Sequence, residues 1–384
     1  MKDRIEVRCV MTNIFLTFAI AAVMGIVLLK LKVPGGMMVG AIIGAAALNI
    51  STGRAYMPST AKLLAQCLAG AFIGCSMSRE DVRNMKMLGR PAVILLFSML
   101  CLNLILGTVL YKFSSMDLLT SLMCAIPGGM SDVPIIAADL GADAAKVALM
   151  QFVRMVAGIG AFPSIILAVT RNEPAGEDSS GAAIDRENDR DKENNTDQVS
   201  GQSPAAPGNS ASRPSKTRRQ GYEFPLTLMV AIACGSFGKK LGIPAGALVF
   251  SMITVMVMRI CLNIGFLPRW AKRVAQILSG AYIGCGMAAS DLATLKYMII
   301  PALLILVAYS VNCFIIGHLL HRYCGFPLRT GMLIGTPAGA SDMALISADL
   351  GVESKELVEL QIIRMVVVVS VFPQIACLIV KMLG

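Results

Sequence analysis

Histidine is almost missing from this chain of 384 residues: His318 and His321 are all it has. Two imidazoles on one short segment leave a copper or zinc centre without a ligand set. Cysteine is not scarce, at 11 residues, but no CxxC pair or zinc spacing occurs. Residues such as Cys67, Cys124 and Cys313 stand singly inside apolar runs and read as small packing groups, not a disulfide framework. Charge is sparse too, at 15% of residues against 55% apolar, and it is kept outside the long apolar runs. That segregation follows from the cost of an ion in hydrocarbon, at least about 2.5–3.5 kcal/mol. No nucleophile–base pair and no phosphate loop is present, so the residues give no ground for an enzyme. The net charge of +10 is spread over many short loops and reads as membrane topology, not as a nucleic-acid surface.

What is present is apolar length. Several runs reach the roughly 18–20 residues that a bilayer core requires, which predicts an all-α polytopic membrane protein. The first, from about Val10 to Leu29, follows a charged start as a cleaved signal would. Its pattern Leu16, Thr17, Ala21, Gly25, Lys30 returns downstream as Leu226, Thr227, Ala231, Gly235, Lys240, so it belongs to the fold.

The whole first half returns in the same way. Residues 16–170 recur over 226–380 at one constant spacing, with roughly three in ten aligned positions identical. The best-kept blocks are Ala61–Met77 onto Ala271–Met287 and Ser131–Gly141 onto Ser341–Gly351. Between the copies, Arg171–Glu223 holds almost no large apolar residues and is rich in Asp, Glu, Asn, Ser, Gly and Pro. Such a segment buries too little surface to offset its ordering entropy, which predicts a disordered linker. Its basic end (Arg213, Lys216, Arg218, Arg219) favours the cytoplasmic side. The predicted units are a first membrane repeat over 1–170, the linker over 171–223 and a second repeat over 224–384.

The basic clusters set the relation between the repeats. Arg79, Arg83, Lys86 and Arg90 follow the third helix of the first copy, whereas Arg269, Lys272 and Arg273 precede its counterpart. Matching loops on opposite sides imply inverted halves. Inversion needs an odd number of crossings, yet each half carries about six apolar segments. One segment per half must then enter and leave on one side, and the proline–glycine interruptions are the natural place. The expectation is two inverted halves of about five transmembrane helices, each with one broken or re-entrant Gly/Pro segment, and with both chain ends outside.

Those interruptions carry the candidate site. The first reads Pro127-Gly128-Gly129-Met130-Ser131-Asp132, the second Pro337-Ala338-Gly339-Ala340-Ser341-Asp342. Proline removes a helix donor and glycine lets the backbone leave helical geometry, which frees peptide groups for a ligand. Ser131 and Ser341 fall where an N-cap would open the next half-helix, whose positive end favours an anion. Asp132 and Asp342 are suited to a cation or a proton, although a kink with capping Ser and Asp would use the same residues. Asp139 and Asp349 follow on the same helical face, or else mark a helix end before Gly141 and Gly351. Arg154 and Arg364 sit in apolar helices on one face with Gln151 and Gln361. An arginine in hydrocarbon needs a partner, and Asp132 or Asp342 is the expected one, alongside a role in binding a substrate anion. Gln66 and Gln276 lie beside Gly70xxxGly74 and Gly280xxxGly284, which read as helix packing.

The duplicated block Pro-Gly-Gly-Met-Ser-Asp, Ala-Asp-Leu-Gly-Ala-Asp and Gln-Phe-Val-Arg-Met resembles the AbrB-type membrane protein family, a bacterial group built from a duplicated membrane unit. The likeness covers nearly the whole chain except the linker. Labels inherited by such sequences include ammonia monooxygenase and regulator of gene expression, and the name also belongs to an unrelated small DNA-binding protein. The resemblance implies a multi-pass protein of the bacterial inner membrane. The function expected is secondary transport of a small anionic or zwitterionic solute coupled to H+ or Na+. The alternative is a membrane-embedded regulator or sensor acting on gene expression indirectly, and a membrane oxygenase comes last. No cofactor and no resident metal is expected. The expected partners are the lipid bilayer, the solute and a coupling ion, without nucleic acid, and a homo-oligomer is admissible.

Overall fold

The computed structural model describes residues 2–77, 79–84, 88–160, 162–170, 220–289, 291, 295–337 and 355–383. Most of the predicted linker, together with Gly339, Ser341, Asp342 and Asp349, lies outside these residues. The last four residues assigned to the linker, Gln220–Glu223, instead open a helix.

The described chain is helical. In order it forms α1 (Lys2–Lys30), α2 (Gly36–Thr52), α3 (Ser59–Ser76), α4 (Arg79–Asn84) and α5 (Gly89–Phe113). The half closes with α6 (Leu118–Cys124), α7 (Asp132–Leu140), α8 (Ala144–Gly160) and α9 (Phe162–Val169). The second half gives α10 (Gln220–Lys240), α11 (Gly246–Leu262), α12 (Arg269–Cys285), α13 (Ile299–Cys324), α14 (Leu328–Gly335) and α15 (Lys355–Leu383). Four helices among the described residues are long and apolar enough to cross a membrane, over Val10–Lys30, Gly89–Phe113, Ile299–Cys324 and Glu356–Met382. Two further apolar helices, α2 and α11, are shorter at 17 residues each.

Repeated sequence produces repeated backbone. Left-handed conformations occur at Gly35 and Ala245, at Gly53 and Asn263, and at Lys32 and Gly242, three pairs of equivalent positions. The loop after α2 is clipped to α1 by the Tyr56 N–H donating to Thr17 Oγ1 at 3.2 Å. The Phe266 N–H does the same to Thr227 Oγ1 at 3.3 Å.

The GxxxG stripes join the halves, as a packing role requires. Gly70 and Gly74 of α3 lie against Leu248 and Met252 of α11, and Gly280 and Gly284 of α12 lie against Met38 and Ile42 of α2. A side chain at any of the four would strike backbone, so the small residue is what permits the approach. Residue numbers rise together along both pairs, so α3 runs with α11 and α12 with α2. Between the equivalent helices α3 and α12 the order is reversed. The Lys62 ammonium lies 5.3 Å from the Tyr282 ring centre, and the Lys272 ammonium lies 4.4 Å from that of Phe72. The two helices therefore cross antiparallel.

These contacts divide the molecule across the repeats. Helices α1–α3 and α10–α12 pack on one another as one body, and α5–α9 pack with α13–α15 as another. The bodies meet chiefly where α7 and α8 face α3 and α12. The largest apolar cluster fills the second body around Leu95, Met99, Leu122, Ile126, Tyr309 and Ile316.

Candidate functional site

The interruption at Pro127 makes a hairpin. From α6 the chain reaches Ile126, breaks, and returns along α7, so that the Asp143 N–H donates to Thr120 Oγ1 at 3.0 Å beside the start of α6. Asp117 caps α6 through its carboxylate on the Thr120 N–H at 2.9 Å, and Gly141 ends α7 in a left-handed C-cap. Helix α8 then runs beside α6 and brings Gln151 and Arg154 to the break.

Breaking a helix orphans its last carbonyls, and at apolar depth water does not supply the missing donors. Here side chains do. Tyr309 Oη donates to Ala125 O at 2.8 Å, and Gln151 Nε2 to Ile126 O at 3.0 Å. Arg154 donates through Nη1 to Ile126 O at 2.6 Å and through Nη2 to Gly128 O, with its guanidinium 5.7 Å from the Tyr309 ring centre. A cation at the negative end of a helix is also well placed electrostatically. The second half repeats the clamp at the end of α14. Gln361 Nε2 donates to Ile334 O at 3.2 Å and Arg364 Nη1 to Thr336 O at 2.7 Å.

This differs from the expectation that Arg154 pairs with Asp132. The arginine holds backbone carbonyls, and Asp132 makes no ion pair among the described residues. Sequence reasoning matched the obvious opposite charge and overlooked the backbone acceptors that a broken helix creates.

Ser131 and Asp132 open α7. Ser131 occupies the N-cap position without capping it; its Oγ instead accepts from Gln276 Nε2 of α12 at 3.1 Å. In sequence Gln276 reads as a neighbour of the glycine packing stripe, which does not reveal this link between the two bodies. The Asp132 carboxylate folds over Gly129, in the space a Cβ there would take. Asp139 lies away from this cluster, toward the open end of the hairpin, where it pairs with the buried Lys62 of α3 at 3.0 Å.

A cavity of about 460 Å³ gathers the pieces. From the predicted set it is lined by Pro127, Gly128, Gly129, Ser131, Asp132 and Arg154, and from the other half by Pro337 and Arg364. Asp139 is not among its lining residues. Facing them are Ala69, Phe72 and Ile73 of α3 and Lys272, Ala275 and Gln276 of α12. Lys272 was counted as a loop charge reporting topology; it stands inside α12 and lines the cavity. The signal that could have found it is the repeat itself, since Lys62 and Lys272 occupy equivalent positions in the best-kept block. Arg154, Gln361 and Arg364 form a buried floor, whereas Ser76 and Lys272 are exposed at the rim. The described residues contain no group of three or more His, Cys, Asp or Glu able to hold a metal ion. Such a cavity can hold a small solute between an acid, several cations and apolar walls.

The chain has relatives among known proteins. The family described as transition state regulatory protein AbrB matches residues 3–166 and 57–380. The uncharacterized protein YhjN of Bacillus subtilis (strain 168) is 24% identical over 317 residues, which are 81% of this chain and 76% of that one. A protein of Escherichia coli (strain K12), named as a candidate regulator AbrB, is 23% identical over 349 residues, 91% of each chain. A membrane-like helical protein duplicated around two clamped breaks, this chain belongs to the AbrB family.

Proposed function

We propose that this protein is a secondary transporter of a small anionic or zwitterionic solute, coupled to H+ or Na+, in the bacterial inner membrane. The observation that carries the reading is the cavity in which the first interruption, Pro337 and both buried arginines come together. Discontinuous helices that meet near the bilayer midplane are the usual construction of a solute site in such carriers. The two halves are read as inverted. The antiparallel crossing of α3 and α12 supports this, because equivalent helices of parallel repeats would run the same way. So does the hairpin of α6 and α7, which enters and leaves on one side and leaves an odd number of crossings in the half. The division into two bodies, each drawing on both repeats, gives alternating access two units that can move past each other around the cavity.

In this reading Asp132 and Asp342 carry the coupling cation, and the freed peptide groups of the breaks orient the solute. No covalent chemistry is required, and nucleic acid is not a ligand. The test is solute-driven uptake in proteoliposomes, after a stability screen of metabolites with and without Na+ and across pH. Asp132→Asn should abolish coupled uptake while the protein still inserts and folds. Uptake at the wild-type rate in that variant would remove the proposed role.

A second reading is a membrane-embedded regulator, favoured by the family's description and by the name of the Escherichia coli relative. Deleting residues 174–212 separates the two. A carrier keeps its uptake without that segment, whereas a protein that recruits a soluble partner through it loses the regulatory effect.

A further inference from the structure

The arginines of the cavity floor are committed to the carbonyls of the broken helices. Lys272 is placed differently. Its equivalent Lys62 is buried in an ion pair with Asp139, but Lys272 makes no ion pair among the described residues. Its ammonium rests over the Phe72 ring at the exposed rim. It stands four residues, about 6 Å of helix rise, before Gln276, whose amide is bonded to Ser131 next to Asp132. Lys272 and Asp132 therefore present opposite charges on facing walls of one cavity. Beside Phe72 the cavity lining includes apolar Ala69 and Ile73 on α3 and Met130 and Met155 from the other body, with Ser76, Gln276 and Ser279 as uncharged polar groups.

We infer that Lys272 is the anchor for the carboxylate of a monocarboxylate solute with an apolar body, bound together with one coupling cation at Asp132. This rests on the transporter reading and narrows its solute class. One ammonium at the rim matches one carboxylate, and the apolar wall rewards a hydrocarbon body over hydroxyls or a second charge. The coupling follows from the acid. Arg154 and Arg364 line the same cavity, but both are held at the carbonyl ends of the broken helices, and an ionised Asp132 repels a carboxylate brought into the same low-dielectric space. One proton on Asp132, or one Na+ beside it, removes that repulsion. Solute and cation then bind as a pair.

Trp270, the single tryptophan, sits two residues before Lys272 and lines an adjoining cavity that shares Phe72 and Ser76 with the first. Its fluorescence in the purified full-length protein is a local reporter. The probes are 3-methylbutanoate, its neutral amide 3-methylbutanamide, and the dicarboxylate succinate. The expected result is saturable binding of 3-methylbutanoate, with the other two at least about tenfold weaker, the equivalent of about 1.4 kcal/mol. Lys272→Gln should weaken 3-methylbutanoate at least about tenfold and Lys272→Arg should restore most of it. Arg273→Gln, at an exposed neighbour outside the cavity lining, serves as the control and should leave it unchanged. Affinity should rise with uptake of about one proton or one Na+ per solute bound.

Equal binding of the amide or of succinate, no binding of 3-methylbutanoate, wild-type affinity in Lys272→Gln, or an affinity independent of both pH and Na+ would each overturn the inference. Those outcomes leave the carrier reading standing, because it is tested by uptake and not by this equilibrium. Saturable binding with no uptake of any solute would retain the site and remove the carrier.

Discussion

At the scale of single residues, the organising fact is that two arginines at apolar depth serve as caps for broken helices. Arg154 and Tyr309 together engage the carbonyls of Ala125, Ile126 and Gly128, groups that would otherwise be orphaned where water is scarce. Lysine at this position keeps the charge but not the planar fork that reaches two acceptors at once. Arg154→Lys should lower stability by about 1.5–3 kcal/mol, the range for hydrogen bonds to a charged group, measured as a lower unfolding midpoint in detergent. A midpoint within error of wild type would show that the clamp contributes little. The sequence made the arginine visible because its glutamine and its repeat partner came with it. It did not reveal the acceptor, since backbone carbonyls have no letter of their own. Lys272 escaped notice for the opposite reason: three cations close together at Arg269, Lys272 and Arg273 look like a topology signal, and only the helix phase separates the one that faces the cavity.

At the scale of elements, the breaks depend on what surrounds them. Gly35 precedes α2 in a left-handed conformation, and a Cβ there would meet the sulfur of Met130 and the terminal methyl of Met155. The second copy has Ala245 in the same backbone conformation, and the residue equivalent to Met130 is Ala340. In sequence, then, the copy with glycine at this position has methionine at 130, and the copy with alanine has alanine at 340, while Met155 and Met365 are unchanged. Gly35→Ala alone should therefore cost about 1–2 kcal/mol of left-handed strain together with about 1–3 kcal/mol of overpacking. Adding Met130→Ala should recover most of the second contribution, the contact with Met155 remaining, and leave the first, as read from unfolding midpoints of the single and double variants. Equal loss in both would disconnect the two positions. Most element boundaries were legible in advance, because apolar runs end at Pro, Gly or charge; α2, α3 and α5 lie close to where these markers put them. The hairpin was legible only through the odd-crossing argument.

At the scale of the whole molecule, the repeats are not the mechanical units. Sequence similarity divides the chain at the linker, whereas packing groups α1–α3 with α10–α12 and leaves the breaks and their clamps in the other body. That regrouping was not legible, because the GxxxG stripes announce close packing without naming the partner helix. Among the described residues three polar links join the bodies: Lys62 with Asp139, Gln276 with Ser131, and Gln374 with the carbonyl of Pro244. Joining Lys62→Cys and Asp139→Cys with a short bifunctional thiol reagent should stop uptake by the doubly substituted protein and spare either single variant. Full uptake after complete crosslinking would mean that these bodies do not shift during turnover.

The glycine stripes also decide what one repeat can do without the other. Gly70 and Gly74 find their seat on α11, and Gly280 and Gly284 on α2, so each copy supplies the surface that the other's stripe requires. A polypeptide cut down to a single repeat leaves that close-fitting face uncovered, and two halves produced as separate chains have a ready-made reason to find each other.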